Sequence, residues 1–254
     1  MRNKILQIEK LINKNEIKVI SVDVFDTLLL RTTQPELMRF KDFSQEQYKQ
    51  ITLDNSVTRD ELYFARLKVG RELFSKAKRE GGCYEVTYKE WMKTVLQGGR
   101  EGRVDDKIVQ HCLDIELALE QQMLKLNKSL WLYLETLRSR GHKIVLCSDM
   151  YLGAKSINYL LRSFVGADLP YTTFVSSEWQ KTKRAGSLYR AMMLELEVEA
   201  ENVLHIGDNW ISDILVPSNL GIHTIHTPRS FSWGIVHRIR AFFYRFYVNY
   251  KAQI

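Results

Sequence analysis

"VISVDVFDTLLLR", residues 19–31, decides how the rest of the chain is read. A run of β-branched residues stops at Asp23, a second carboxylate follows at Asp26, and the chain turns apolar again at Leu28. Too apolar for a strand exposed on one face, the run fits a strand buried on both sides of a parallel sheet. In open α/β sheets ligands bind at the carboxyl ends of the strands. The two acids therefore stand where chemistry would be done.

Working outward, short apolar runs recur at "KIVLCS" (143–148), "TFVSS" (173–177), "VLHIG" (203–207) and "IHTIH" (222–226). Helical patterns lie between them over 128–140, 153–165, 185–196 and 211–219, and a short amphipathic helix over 3–14 precedes the first strand. Strands alternating with helices predict a Rossmann-like α/β fold, an open parallel sheet covered on both faces. One interval breaks the rhythm. Roughly 115 residues separate the first strand from "KIVLCS", whereas a parallel crossover needs only a dozen or more. The excess is helical in pattern, with Asp60 and Glu61 near one helix start and Gly81–Gly82 at its end. The expected organisation is an α/β core over 1–32 and 128–228, an inserted all-helical cap over 33–127, and a basic amphipathic helix over 229–254.

Composition narrows the classes. With 254 residues, 45% hydrophobic and 26% charged, the chain can bury a sizeable core as one large domain or a domain with an insertion. No apolar stretch approaches a membrane span, and the charged N-terminal segment lacks the apolar core of a signal peptide. Cys83, Cys112 and Cys147 are far apart, odd in number and without a CxxC pair, as reduced thiols of a cytoplasmic protein would be. The net charge is +7, but residues 229–254 supply five Lys/Arg and no acid. The body is nearly neutral, which speaks against nucleic acid as a partner.

Four polar clusters end successive expected strands: Asp23–Thr27, Ser148–Asp149, Lys181/Lys183, and "GDNWISD" (207–213). Each alone has a plain explanation as a helix cap or solvated loop. Four in order at one edge of one sheet are harder to dismiss. The series resembles the haloacid dehalogenase-like (HAD) hydrolase superfamily over about residues 17–227, with the insertion in the place of that superfamily's C1 cap. "SVDVFDTLLLR", "CSDMYL" and "SSEWQKTKRAGSLY" look like a branch associated with bacterial surface-polysaccharide genes.

The resemblance implies a catalytic Asp23 that attacks phosphorus, passing through an aspartyl-phosphate. It implies a Mg²⁺ site formed by Asp23, the Phe25 carbonyl, Asp208 and Asp213. The residue types suit this, since Mg²⁺ is held by one or two carboxylates with water and substrate oxygens. Thr27, Ser148, Asp149 and Lys183 would line the phosphoryl position, with Ser148 bonding a phosphoryl oxygen and Lys183 pairing with the nucleophile. Lys183 is chosen over Lys181 because Leu188 follows it by five positions, as a hydrophobic residue does in the family. Gly186 would keep the following turn compact.

The departure is in the first motif. Family phosphatases carry a second Asp two positions after the nucleophile, acting as general acid/base, and here that residue is Phe25. Asp26 occupies the family's usual glycine position. Three readings stay open: a phosphomonoesterase with Asp26 or a cap residue supplying the proton, a dehalogenase that needs no such acid, and a binding or scaffold protein on the same fold. The substrate implied is a small phosphorylated molecule such as a sugar phosphate.

His205, His223 and His226 read as core or edge histidines, and Cys147 as a small buried hydrophobe. Tyr63, Arg66, Lys68 and Arg71 are candidates for substrate contact, against a solvated helix face. Ile235, Ile239, Phe242, Phe246 and Tyr250 make one helical stripe with Arg238 and Arg245 on the other side. Such a stripe packs on the core, meets a protein partner, or lies on a membrane surface.

Overall fold

The structure is a computed structural model that describes residues 2–51, 58–79, 86–98, 104–166, 169 and 171–251. The helix end expected at Gly81–Gly82 and the thiol of Cys83 lie outside the described residues. The chain divides into two compact units, one formed by residues up to 30 with 125–229, the other by 31–79, 86–124 and 230 onward.

Seven strands occur among the described residues: β1 Val19–Val22, β2 Leu29–Arg31, β3 Leu124–Leu126, β4 Lys143–Ser148, β5 Thr172–Val175, β6 Val203–Gly207 and β7 His223–His226. The first unit is built on a five-stranded sheet in the order β5-β4-β1-β6-β7, while β2 and β3 pair separately. All four pairings of the large sheet are parallel, with Val19 opposite Lys143 on one side and Val203 on the other. β1 is central, and its four residues are all buried, which is why no alternation is visible in VISV.

Helices cover both faces. Val19, Val145, Cys147 and Val203 point to one side, where Phe174, Leu188, Tyr189 and Met192 close the core. Period-two alternation sends Ile20, Val22, Ile144 and Leu146 to the other, and these are buried as well. From β1 the chain steps to β4 and β5 on one side, then returns to β6 and β7 on the other. The reversal lies between β1 and β6, the topological switch point of an open sheet, and the Asp23 N–H donates to Ile206 O across it at 2.9 Å.

The expected strand at 173–177 stops at Val175, because Ser176–Trp179 turns helical. The helix expected over 211–219 is a π-turn, Trp210–Leu215, continuing as Val216–Asn219.

The second unit is helical: Glu36–Gln50, Arg59–Arg79, Tyr88–Gln97, Asp106–Met123 and Phe231–Lys251. Its interior holds two buried ion pairs. Arg66 pairs with Glu116 at 2.8 Å, and its guanidinium lies 4.5 Å from the Phe40 ring centre and 4.7 Å from that of Trp91. Arg39 donates to both oxygens of Glu120 at 2.7 and 2.8 Å, and Arg31 reaches the same carboxylate at 3.1 Å.

Candidate active site

Asp23 follows β1 directly, in the loop that folds back to β2. Leu28 and Leu29 N–H groups both donate to Val24 O, at 2.9 and 2.7 Å. Closing so tight a loop puts Asp26 at φ 63°. That is the left-handed region glycine favours, and Asp tolerates it better than most residues. Asp26 is ion-paired with Arg229 at 3.6 Å. The Phe25 side chain is buried, and its backbone bridges to Leu29. Thr27 is also buried, and its hydroxyl has no hydrogen-bond partner among the described residues.

Lys183 comes from the loop after the Ser176–Trp179 helix. Its Nζ donates to Asp23 Oδ1 at 2.5 Å and to Asp213 Oδ1 at 2.7 Å, all three groups being buried. Lys181, two residues earlier, is exposed. What aims Lys183 is Asp149, whose Oδ1 accepts from the Lys183 N–H at 2.7 Å and whose Oδ2 accepts from the Arg184 N–H at 3.3 Å. The turn then closes through Gly186, at φ 74°, whose N–H donates to Lys183 O at 2.8 Å. Ser148, the last residue of β4, is buried at the same sheet edge.

Asp213 sits in the π-turn after β6, and its two oxygens have separate tasks. Oδ1 takes Lys183, while Oδ2 accepts from the Asn209 N–H at 2.9 Å. Asn209 in turn caps the π-turn, accepting from Ile211 and Ser212 N–H at 3.0 and 3.1 Å. Sequence reasoning assigned His205 to the core, and it is fully buried. It also bridges the site: Nδ1 is 2.9 Å from Ser21 Oγ and Nε2 is 3.3 Å from Asp213 Oδ1. Burial lowers its pKa against the pull of Asp213, which favours the neutral ring. A neutral ring facing a carboxylate donates from Nε2 and accepts the serine hydroxyl at Nδ1. A polar residue inside the otherwise apolar VLHIG was the only sequence signal for this role.

Among the described residues Asp23, Asp208 and Asp213 offer carboxylate oxygens that all lie within 4.8 Å of one another. Burial pushes the Asp23 carboxyl up to about 7, Lys183 pulls it back, and Asp213 and Asp208 add like charge. Burial, with Asp26 and Asp213, pushes Asp208 up to about 6. Asp213 goes the other way: Lys183 and His205 overcome its burial and hold it well below the usual range. The Lys183 ammonium is raised, Asp23 and Asp213 outweighing desolvation. One cation is thus shared by several carboxylates. Three hard oxygen donors with charge left uncompensated fit a small divalent ion.

The other candidates separate cleanly. Arg66 and Tyr63 are buried inside the helical unit, Arg66 against Glu116 and Tyr63 donating to Leu37 O at 3.1 Å. Lys68 and Arg71 are exposed. Arg66 is a structural cation there.

A family model described as haloacid dehalogenase-like hydrolase matches residues 17–221. No curated protein matches the sequence. Among solved structures the chain is similar to a 2-haloacid dehalogenase from Pseudomonas syringae pv. tomato, at 16% identity and TM-score 0.55, covering 83% of this chain and 86% of that one. It is also similar to a HAD family enzyme from Bacteroides thetaiotaomicron solved with magnesium and inorganic phosphate, at 16% identity and TM-score 0.50, covering 85% and 98%. At such identities the likeness is one of fold.

Proposed function

We propose that this chain, which belongs to the haloacid dehalogenase-like hydrolase family, is a magnesium-dependent phosphomonoesterase that works through an aspartyl-phosphate on Asp23. The observation that carries the reading is the Lys183 ammonium held between Asp23 and Asp213, with Asp208 close enough to complete a three-carboxylate cluster. Attack by a carboxylate on a phosphate dianion brings two anions together, so the site needs more positive charge than one lysine supplies. Asp23, Asp208 and Asp213 would hold Mg²⁺, with the Phe25 carbonyl as a further ligand. Bound there, the ion would screen and orient the phosphoryl group. The Bacteroides neighbour, solved with magnesium and inorganic phosphate, supports this choice of ion and ligand.

Each residue then has a task. Lys183 favours the ionised form of Asp23 against its burial and adds charge beside the entering phosphoryl oxygens. Ser148 and the unpartnered Thr27 hydroxyl stand ready to donate to those oxygens. Asp149 holds the Lys183 backbone, and so acts through the lysine. Attack by Asp23 on phosphorus breaks the ester P–O bond and releases the alcohol, which takes up a proton. Water then hydrolyses the aspartyl-phosphate, releasing phosphate and restoring Asp23. With Phe25 in place of the acid two positions on, Asp26 is the group we assign to proton transfer. Its loss is expected to cost about 10²-fold in turnover. The helical insertion is read as the cap whose residues select a small phosphorylated substrate, such as a sugar phosphate.

Phe25 also favours a second reading, displacement at carbon, because a halide leaves without a proton. Three carboxylates gathered for a cation count against it. The test is a panel of phosphomonoesters and 2-haloacids with and without Mg²⁺, on wild type, Asp23→Asn and Asp26→Asn. Mg²⁺-dependent phosphate release that vanishes in Asp23→Asn is expected. Halide release persisting in EDTA would establish the dehalogenase. No turnover and no Mg²⁺ binding by a folded protein would leave a scaffold. Unchanged turnover in Asp26→Asn would remove that residue from the chemistry.

A further inference from the structure

The helix Phe231–Lys251 is held by one face only. Trp233 Nε1 donates to Arg31 O at 3.2 Å, Arg240 donates to Thr33 Oγ1 at 2.7 Å, Lys41 donates to the Tyr247 hydroxyl at 3.3 Å, and Val248 is buried. The stripe read from sequence lies on the opposite side. Phe242 is 69% exposed, Phe246 72% and Phe231 79%, with Ile239, Phe243 and Tyr250 also open. At about 100° per residue these side chains fill an arc of roughly 120°. Arg238 and Arg245 border that arc on one flank, while Arg240 and Lys251 point to the side of Trp233, where Arg240 bonds Thr33. The helix contains no Asp or Glu, and none of the four cations forms an ion pair among the described residues.

From this pattern we propose that the C-terminal helix lies in the surface of an anionic lipid bilayer, aromatic arc down, with Arg238 and Arg245 at headgroup level. Phenylalanines in the centre with arginines along one border match the depth profile of a membrane interface. The apolar stems of Arg and Lys lie along the hydrocarbon boundary and their charges reach the phosphates. A juxtamembrane cation near an anionic surface contributes favourably, and Arg238 and Arg245 on one flank act together. A second copy is a poorer occupant of the same face. Two such arcs in contact would bring the basic flank of each helix into the contact with no acid on either helix to offset it. No helix of the described residues is long and apolar enough to cross a membrane, so the contact is with the surface.

The full chain is spun with vesicles of phosphatidylcholine alone, or of phosphatidylcholine and phosphatidylglycerol in equal parts. Wild type, Phe242→Ser/Phe246→Ser and Arg238→Glu/Arg245→Glu are compared. All four positions are exposed, so unchanged thermal melting checks that each variant is folded. Wild type is expected to pellet with the anionic vesicles and to be released by salt. Each double variant is expected to bind at least about tenfold more weakly. Failure of wild type to pellet with anionic vesicles would overturn the proposal. So would equal binding by the aromatic variant, or a wild-type dimer in light scattering that Phe242→Ser/Phe246→Ser dissociates.

Discussion

Gly207 and Asp213 are packed so closely that a Cβ on Gly207 would overlap the Asp213 carboxyl carbon and come within 2.5 Å of its Oδ2. Gly207 ends β6, and its missing side chain is the space into which the Asp213 carboxylate folds. The glycine of "GDNWISD" is therefore a requirement of close approach. Its φ is not the reason.

Gly207→Ala is expected to push the Asp213 carboxylate away from Lys183 and out of the three-acid cluster. Mg²⁺ affinity measured by titration calorimetry should fall at least about tenfold. The sheet is retained, since the overlap is with one side chain and not with backbone. Unchanged Mg²⁺ affinity would mean that Asp213 can shift without leaving the site.

His205→Phe keeps a buried ring in the same strand and removes the donor to Asp213 and the acceptor of Ser21. The expected losses are about 1–3 kcal/mol in urea unfolding, from stranding Ser21, and about tenfold or more in Mg²⁺ affinity. A fall in stability with metal binding untouched would reduce His205 to a core residue.

Asp26 tests backbone conformation by a pair of substitutions. Asp26→Ala places a residue poorly suited to positive φ in the left-handed region, and about 1 kcal/mol of stability is expected to go. Asp26→Gly loses the same ion pair with Arg229 and relieves the strain, so it should be the more stable of the two. Equal unfolding midpoints would rule out strain as the controlling feature of the loop.

Glu120 carries a pH dependence of stability. Burial alone would raise its carboxyl, but Arg39 and Arg31 together hold it below the usual 4.5. A carboxyl depressed on folding stabilises the fold above its unfolded pKa and loses that contribution as pH falls through the folded value. Glu120→Gln is expected to cost about 3 kcal/mol near neutral pH, by removing the charge that faces the buried Arg39 guanidinium. Below about pH 4.5 the gap between variant and wild type should narrow. A gap that stays constant to lower pH would show that shape, not charge, is what the substituted amide fails to supply.

By itself, the sequence determined which segments become strands and which residues end them. VISV, KIVLCS and VLHIG are apolar on both alternating sets, a property that only a doubly covered parallel strand satisfies. The acids, the lysine and the serine then fall at one sheet edge by strand direction alone. The missing acid at Phe25 is equally a sequence fact. Tertiary structure decided what no local pattern carries. Periodicity marked Arg66 and the Phe242–Phe246 stripe on helix faces, but not which faces other elements cover. Arg66 is enclosed with Glu116, whereas the aromatic stripe faces out. Likewise Asp149 spends its oxygens on the Lys183 loop, and His205 reaches Asp213 eight residues on. These pairings depend on side-chain direction and on contacts between distant segments. Spacing along the chain says that such groups are near one edge, and packing fixes which atoms meet.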